Sequence, residues 1–143
     1  MRASILPNME NKPYVSAAAD DVRPVADGYY TGLVNHHHLG TCEVYLADAP
    51  ESVIDRLRAM HPGVYVIHND APRSLNEMEE IIGRIDVPVL REAGMPIHQI
   101  GPTQHGYVHV AVETDAPGAQ AKFDHMFGPD VVRVVEEPMA RLL

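Results

Sequence analysis

Cys42, Val44 and Leu46 alternate with Glu43 and Tyr45, the two-residue period of a strand with one face in a core. The run GYYTGLV from Gly28 precedes it, so residues 28–46 predict a hairpin connected through Asn35–Thr41. Asp48-Ala-Pro-Glu51 then has the form of a capping box with proline in the first turn. Val53, Ile54, Leu57 and Met60 continue at helical spacing until His61-Pro62-Gly63, and VYVI at 64–67 is a strand of buried type. Ser74 and Glu77 predict a second capping box, followed by the apolar stripe Met78, Ile81, Ile82, Ile85. Pro88 removes an amide donor in mid-pattern and should kink or interrupt this helix, and Gly94 should stop it. Ile97–Ile100 and Tyr107–Val112 predict another hairpin. Asp115-Ala-Pro opens a third helix, with Ala119, Phe123, Met126 and Phe127 on one side, and Val131–Val135 is a closing strand.

Residues 1–27 hold three prolines and an alanine run without a sustained period, and are expected to be a mobile arm with one docked stretch at most. Residues 28–143 are expected to form a single α+β domain. From Gly63 onward the order strand, helix, strand, strand, helix, strand is that of a ferredoxin-like split β-α-β fold: an antiparallel sheet with helices on one face. The first hairpin and helix would be additions to it. An alternative lies in the same pattern, because YLADAPESVIDRLRAMHPGVYV and AVETDAPGAQAKFDHMFGPDVVRV run in parallel. Asp48 corresponds to Asp115 and Val64 to Val131 at an offset of 67, whereas Val44 with Val110 and Leu57 with Phe123 need 66. This is the signature of a duplicated ββαβ unit with a one-residue slip.

Composition narrows the function classes. At 143 residues, 45% apolar and 22% charged, the chain has the makeup of an ordinary globular domain. A formal charge of −9 disfavours nucleic acid and anionic membrane as partners. No segment approaches the ~20 apolar residues of a membrane span. Cys42 is alone, so an intrachain disulfide is excluded, and its place on an apolar strand face marks a small core residue. Nine histidines would, once protonated, bring the net charge to about zero.

The phrases GYYTGLV, CEVYLADAPESVIDRLRAMHPGVYVIHNDAPRSLNEMEEIIGRI and AGMPIHQIGPTQHGYVHVAVETDAPGAQAKFDHMFGPDVVRVVEEP cover most of residues 28–138. Together they resemble a group of actinobacterial exported proteins related to the pro-regions of streptogrisin and α-lytic-type serine proteases. The resemblance implies an α+β pro-region whose sheet packs against a protease and whose C-terminal tail lies in the active-site cleft. No protease follows Leu143, so a free-standing relative would bind proteins, as inhibitor or folding aid. The resemblance also implies export to the cell exterior or envelope. No leader is visible at Met1–Asn8, which leaves a cytoplasmic location open.

Candidate chemistry is sparse, and the reading leans away from an enzyme. No G-x-S-x-G, P-loop or dinucleotide fingerprint occurs, and Ser52 and Ser74 sit where capping explains them. His36-His37-His38 reads first as a hairpin connection. On strands, however, His36 and His38 share a face, as do His105 and His109, and four converging imidazoles would suit Zn, Cu or Ni. A His-dependent metal-binding or pH-responsive protein is therefore one alternative to a non-catalytic binding domain. A small dimeric enzyme with His98, His105 or His109 as general base is another. In the pro-region reading Met139, Arg141, Leu142 and Leu143 form an extended tail that offers Leu143 to a chymotrypsin-like pocket. Sheets of this kind can form a homodimer through an exposed face, and an open edge strand would invite strand addition by a partner.

Overall fold

A computed structural model describes residues 12–138. Contacts divide the chain into two compact units. The first reaches to Asn76 and includes Gln104–Gly106; the second comprises Glu77–Thr103 and the chain from Tyr107 onward.

The first unit begins with two short helices, α1 (Lys12–Ser16) and α2 (Ala18–Val25). Val15, Ala18, Val22 and Ala26 recur three, four and four residues apart, and all are fully buried in the hydrophobic core. Residues 12–27 are thus a docked stretch of the kind the sequence allows within this arm, and they supply part of that core. The helical period escapes notice because alanines supply half of its buried face. Pro13 and Pro24 read as breakers, yet they fall in the first turn of α1 and the last of α2, where proline is tolerated or ends a helix.

The strands β1 (Tyr30–His36) and β2 (Thr41–Leu46) form the expected antiparallel hairpin. Helix α3 (Glu51–Met60) then returns the chain to β3 (Tyr65–His68), which pairs with β2 in parallel. The sheet order is β1-β2-β3, with Cys42, Val44 and Leu46 turned into the core beside Ile54 and Leu57. Asp48 does not cap α3. The N-cap position is Pro50, whose carbonyl accepts from the Val53 and Ile54 amides. The turn is held instead by the Asn69 amide, which accepts from Ala49 N at 2.7 Å and donates to Ala49 O at 3.0 Å.

The predicted interruption separates α4 (Leu75–Gly83), whose first two residues belong to the first unit, from α5 (Val87–Glu92) of the second, with Pro88 in the first turn of α5. Ser74, buried immediately before α4, is assigned to the first unit. The Asp86 carboxylate accepts from Val89 N at 3.3 Å and caps α5, while Gly94, at φ 98°, lies just past its end. A hairpin of β4 (Ile97–Pro102) and β5 (Val108–Val112) leads through α6 (Ala116–Phe127) to β6 (Val132–Glu136), parallel to β5. Here the Asp cap does form, because α6 starts directly after Asp115, whose carboxylate accepts from Gly118 N at 3.1 Å. Phe123 is the largest fully buried side chain among the described residues.

The α+β class and the duplicated ββαβ unit are both present. Even an irregularity is repeated: the register slips between Tyr30 and Gly32 in β1, and between Ile97 and Gln99 in β4. Asp48 and Asp115 share a left-handed backbone, at φ 50° and 56°. One feature of the ferredoxin-like reading is corrected. A single antiparallel sheet from Gly63 onward would unite β3 with β4, β5 and β6, but β3 belongs with β1 and β2, and both sheets are mixed. The crossover through α3 sets β3 beside β2, so each hairpin, helix and strand completes its own sheet.

The two sheets differ at one edge. In β6, Val131 O accepts from Val108 N and Glu137 N donates to Val112 O, so the polar groups of Val132, Val134 and Glu136 face away from β5. Gln120 of α6 covers them: its amide donates to Val132 O at 2.7 Å and accepts from Val134 N at 2.9 Å. The same ladder geometry turns Tyr65 and Ile67 of β3 outward, since Val64 O accepts from Cys42 N. Ile54 stands at the position of Gln120, and its apolar side chain cannot make the corresponding bonds to Tyr65 and Ile67.

Burial leaves one polar atom stranded. Tyr65 is 8% exposed, and its hydroxyl has no hydrogen-bond partner among the described residues. Burial, reinforced by the charges of Asp21 and Cys42, pushes the phenol up to about 12. Tyr65→Phe removes an unsatisfied group without opening space. It should leave stability unchanged or raise it by up to ~1 kcal/mol in urea titration, and a clear loss would mean that the hydroxyl has a partner.

Candidate functional site

The face of the first sheet opposite Cys42 and Val44 carries a connected group of titratable side chains. Glu43, at the centre of β2, projects opposite to Cys42 and Val44. Its register partners are Val34 and Val66, so residues two further along the neighbouring strands are diagonal to it. These are His36 and His68. His36 Nε2 lies 2.7 Å from Glu43 Oε2, and His68 Nε2 lies 3.0 Å from Oε1. One carboxylate thus bridges two imidazoles across three strands.

Tyr45 extends the group. Its ring stacks on His68 at 4.7 Å, and His105 approaches it edge-on at 5.4 Å. Gln104 lies over the sheet where β1 has Gly32; a Cβ there would fall 2.8 Å from the Gln104 Cα, so the close approach needs glycine. Arg73 ties the same segment down by donating to the Gly106 carbonyl at 3.0 Å.

Each shift of proton affinity has a local cause. Hydrogen bonds from His36 and then His68 hold the Glu43 carboxyl below the usual carboxylate range, outweighing its partial desolvation. Desolvation raises the Tyr45 phenol, with help from the charges of Glu43 and Asp70. Burial, then the Glu43 charge, pushes the Cys42 thiol up to about 11, in keeping with an inert core residue.

The histidines singled out from the sequence separate. His36 ends β1 and is engaged by Glu43. His37 and His38 lie exposed in the connecting turn, as expected for a hairpin loop. His105 belongs with the first unit and His109 with β5 of the second, opposite Gly101 and Arg133. His98 donates to the Glu137 carbonyl at 2.6 Å, a structural bond. Among the described residues no group of three or more His, Cys, Asp or Glu side chains is arranged to hold a metal ion. The convergence of His36, His38, His105 and His109 as ligands for Zn, Cu or Ni is thus not found there. Met139, Arg141, Leu142 and Leu143 lie outside the described residues.

No family model, curated protein or solved structure matches the chain. Its function has to be read from its own geometry.

That geometry includes two residues passed over in the sequence, Glu43 and His68. A signal for one pairing was present: hairpin register alone sets His36 diagonal to Glu43. His68 could be added only with the parallel partner of β2 known. The second unit does not repeat the group, since His109 stands at the position of Glu43, Thr103 at that of His36 and Val135 at that of His68. No helix among the described residues is long and apolar enough to cross a membrane.

Proposed function

We propose that the chain is a non-catalytic protein-binding domain that takes an extended segment of its partner onto the edge of β3. The open edge is the observation that supports this reading. The strand Tyr65-Val66-Ile67-His68 has no acidic or basic residue of permanent charge, no proline and no bulge, the devices that usually protect an edge. Val66 is 47% exposed. The matching edge in the second unit is covered by Gln120, which shows what the outward groups of such a strand can accept: one donor and one acceptor, spaced as on a neighbouring strand.

The resemblance to protease pro-regions suggests the partner, a secreted serine protease of the streptogrisin type, with export of this chain to meet it. The chain would act on it as inhibitor or folding aid.

Binding and inhibition of an active streptogrisin-type protease test the proposal. Inhibition is expected, and Val66→Lys, which places a charge beside the edge, should weaken it at least tenfold while the far-UV circular dichroism stays unchanged. Deleting Met139–Leu143 asks separately whether the tail contributes. Absence of inhibition, or undiminished inhibition by folded Val66→Lys, would overturn the proposal.

A further inference from the structure

We infer that Glu43, His36 and His68 form an acid-sensitive recognition patch for Lys or Arg side chains of the partner segment, binding them near neutral pH and releasing them in mild acid. The inference rests on the proposed binding at β3. A strand added there would run beside Val66 and His68, whose side chains share the solvent-side face with Glu43. Alternate side chains of the added segment would therefore stand over this group.

Its chemistry selects the occupant. Because Nε2 of each imidazole meets a carboxylate oxygen, the neutral rings carry their proton on Nε2. Nδ1 of each is then a lone pair, and among the described residues nothing donates to either. Each ring thus turns its donor to the carboxylate and an acceptor nitrogen away from it, on side chains about one-third exposed (37%, 30% and 37% for His36, Glu43 and His68). This arrangement favours a cationic donor, and the chain's charge of −9 favours a basic partner over an acidic one.

Protonation reverses both properties. Adding a proton to each imidazole converts Nδ1 from acceptor to donor. Glu43 remains ionised, because the same two hydrogen bonds hold its carboxyl below the usual range. The triad passes from a net charge of −1 to +1 and repels what it held. From β1 the carboxylate meets His36, and from β3 it meets His68. Tyr45 and His105 adjoin His68 on its other side, and Asp70 acts on Tyr45. His105 adjoins the same group, so its contribution must be separated.

Two measurements on the full chain decide the matter. Long-range ¹H–¹⁵N spectra at pH 7.5 should show His36 and His68 as Nε2–H tautomers, and Glu43→Gln should mix the tautomers; a dominant Nδ1–H form in the unsubstituted chain overturns the inference. With an inactivated streptogrisin-type protease as probe, Kd should rise at least tenfold from pH 7.5 to 5.5. That change should fall below threefold in His36→Gln/His68→Gln and persist in His105→Gln. Equal Kd at the two pH values, or an undiminished change in the double variant, overturns this inference alone. Absence of binding at both pH values overturns the binding-domain reading and the inference with it.

Discussion

A chain truncated to begin at Gly28 is expected to lose the folded first unit. The deletion strips Val15, Ala18, Val22 and Ala26 from the core, all of them fully buried. Burying a valine side chain is worth roughly 1.5–3 kcal/mol, so the two valines alone account for about 3–6 kcal/mol. That is comparable to the ~5–15 kcal/mol by which a whole domain is usually stable. The deletion also uncovers β1, against which both helices pack, and the side of α3 that meets α2. Cys42 reports the outcome directly. In the intact chain its thiol is buried and its pKa is pushed up to about 11, so reaction with an aromatic disulfide reagent at pH 8 should be slow. Truncation should accelerate it at least a hundredfold and abolish the slow phase. Equal protection in both chains would mean that α1 and α2 are not part of the core.

The contrast between these helices and the strands shows what kind of information a single sequence exposes. Alternation in CEVYL and in Val108–Val112 marks strand faces outright, because period two depends only on neighbouring side chains. Pro88 and Gly94 are equally legible, since each acts through its own backbone. The buried face of α1 and α2 is harder to see: Ala18 and Ala26 bury little area and resemble linker residues until a sheet is known to lie beneath them. Capping divides the same way. Asp115 and Asp48 open identical Asp-Ala-Pro phrases, yet only Asp115 caps, because α3 starts two residues later relative to its aspartate and Asn69 holds the turn. Pairing of strands is a tertiary fact. Nothing in Val64–Ile67 states whether that strand joins β2 or the later hairpin, which is why the duplication was visible while the separation into two sheets was not. The carboxylate between His36 and His68 depends on that same pairing.

Phe123→Ala should be the most damaging single change in the second unit, costing about 3–5 kcal/mol in chemical denaturation. Phe123 is fully buried on α6, which packs over β5 and β6, and its ring stacks on Phe127 with centroids 6.5 Å apart. Truncation removes both the transferred area and the dispersion contacts around the cavity left behind. The duplication supplies a graded control, since Leu57 occupies the corresponding place in the first unit and is also fully buried. Phe123→Leu should therefore lose much less, about 1–2 kcal/mol, because a leucine already fits this helix-on-sheet geometry once. A second readout follows from Gln120, one turn earlier on the same helix. If α6 is held over the sheet chiefly by Phe123, loosening it also weakens the seal on β6, and the Val134 amide that donates to Gln120 should exchange its hydrogen faster in Phe123→Ala. The backbone-bonded amide of Glu137, which donates to Val112, should change less. A loss under ~1 kcal/mol, or equal acceleration at both amides, would show that the helix is anchored elsewhere. In that case the cover over this edge would be incidental to how the second sheet is built.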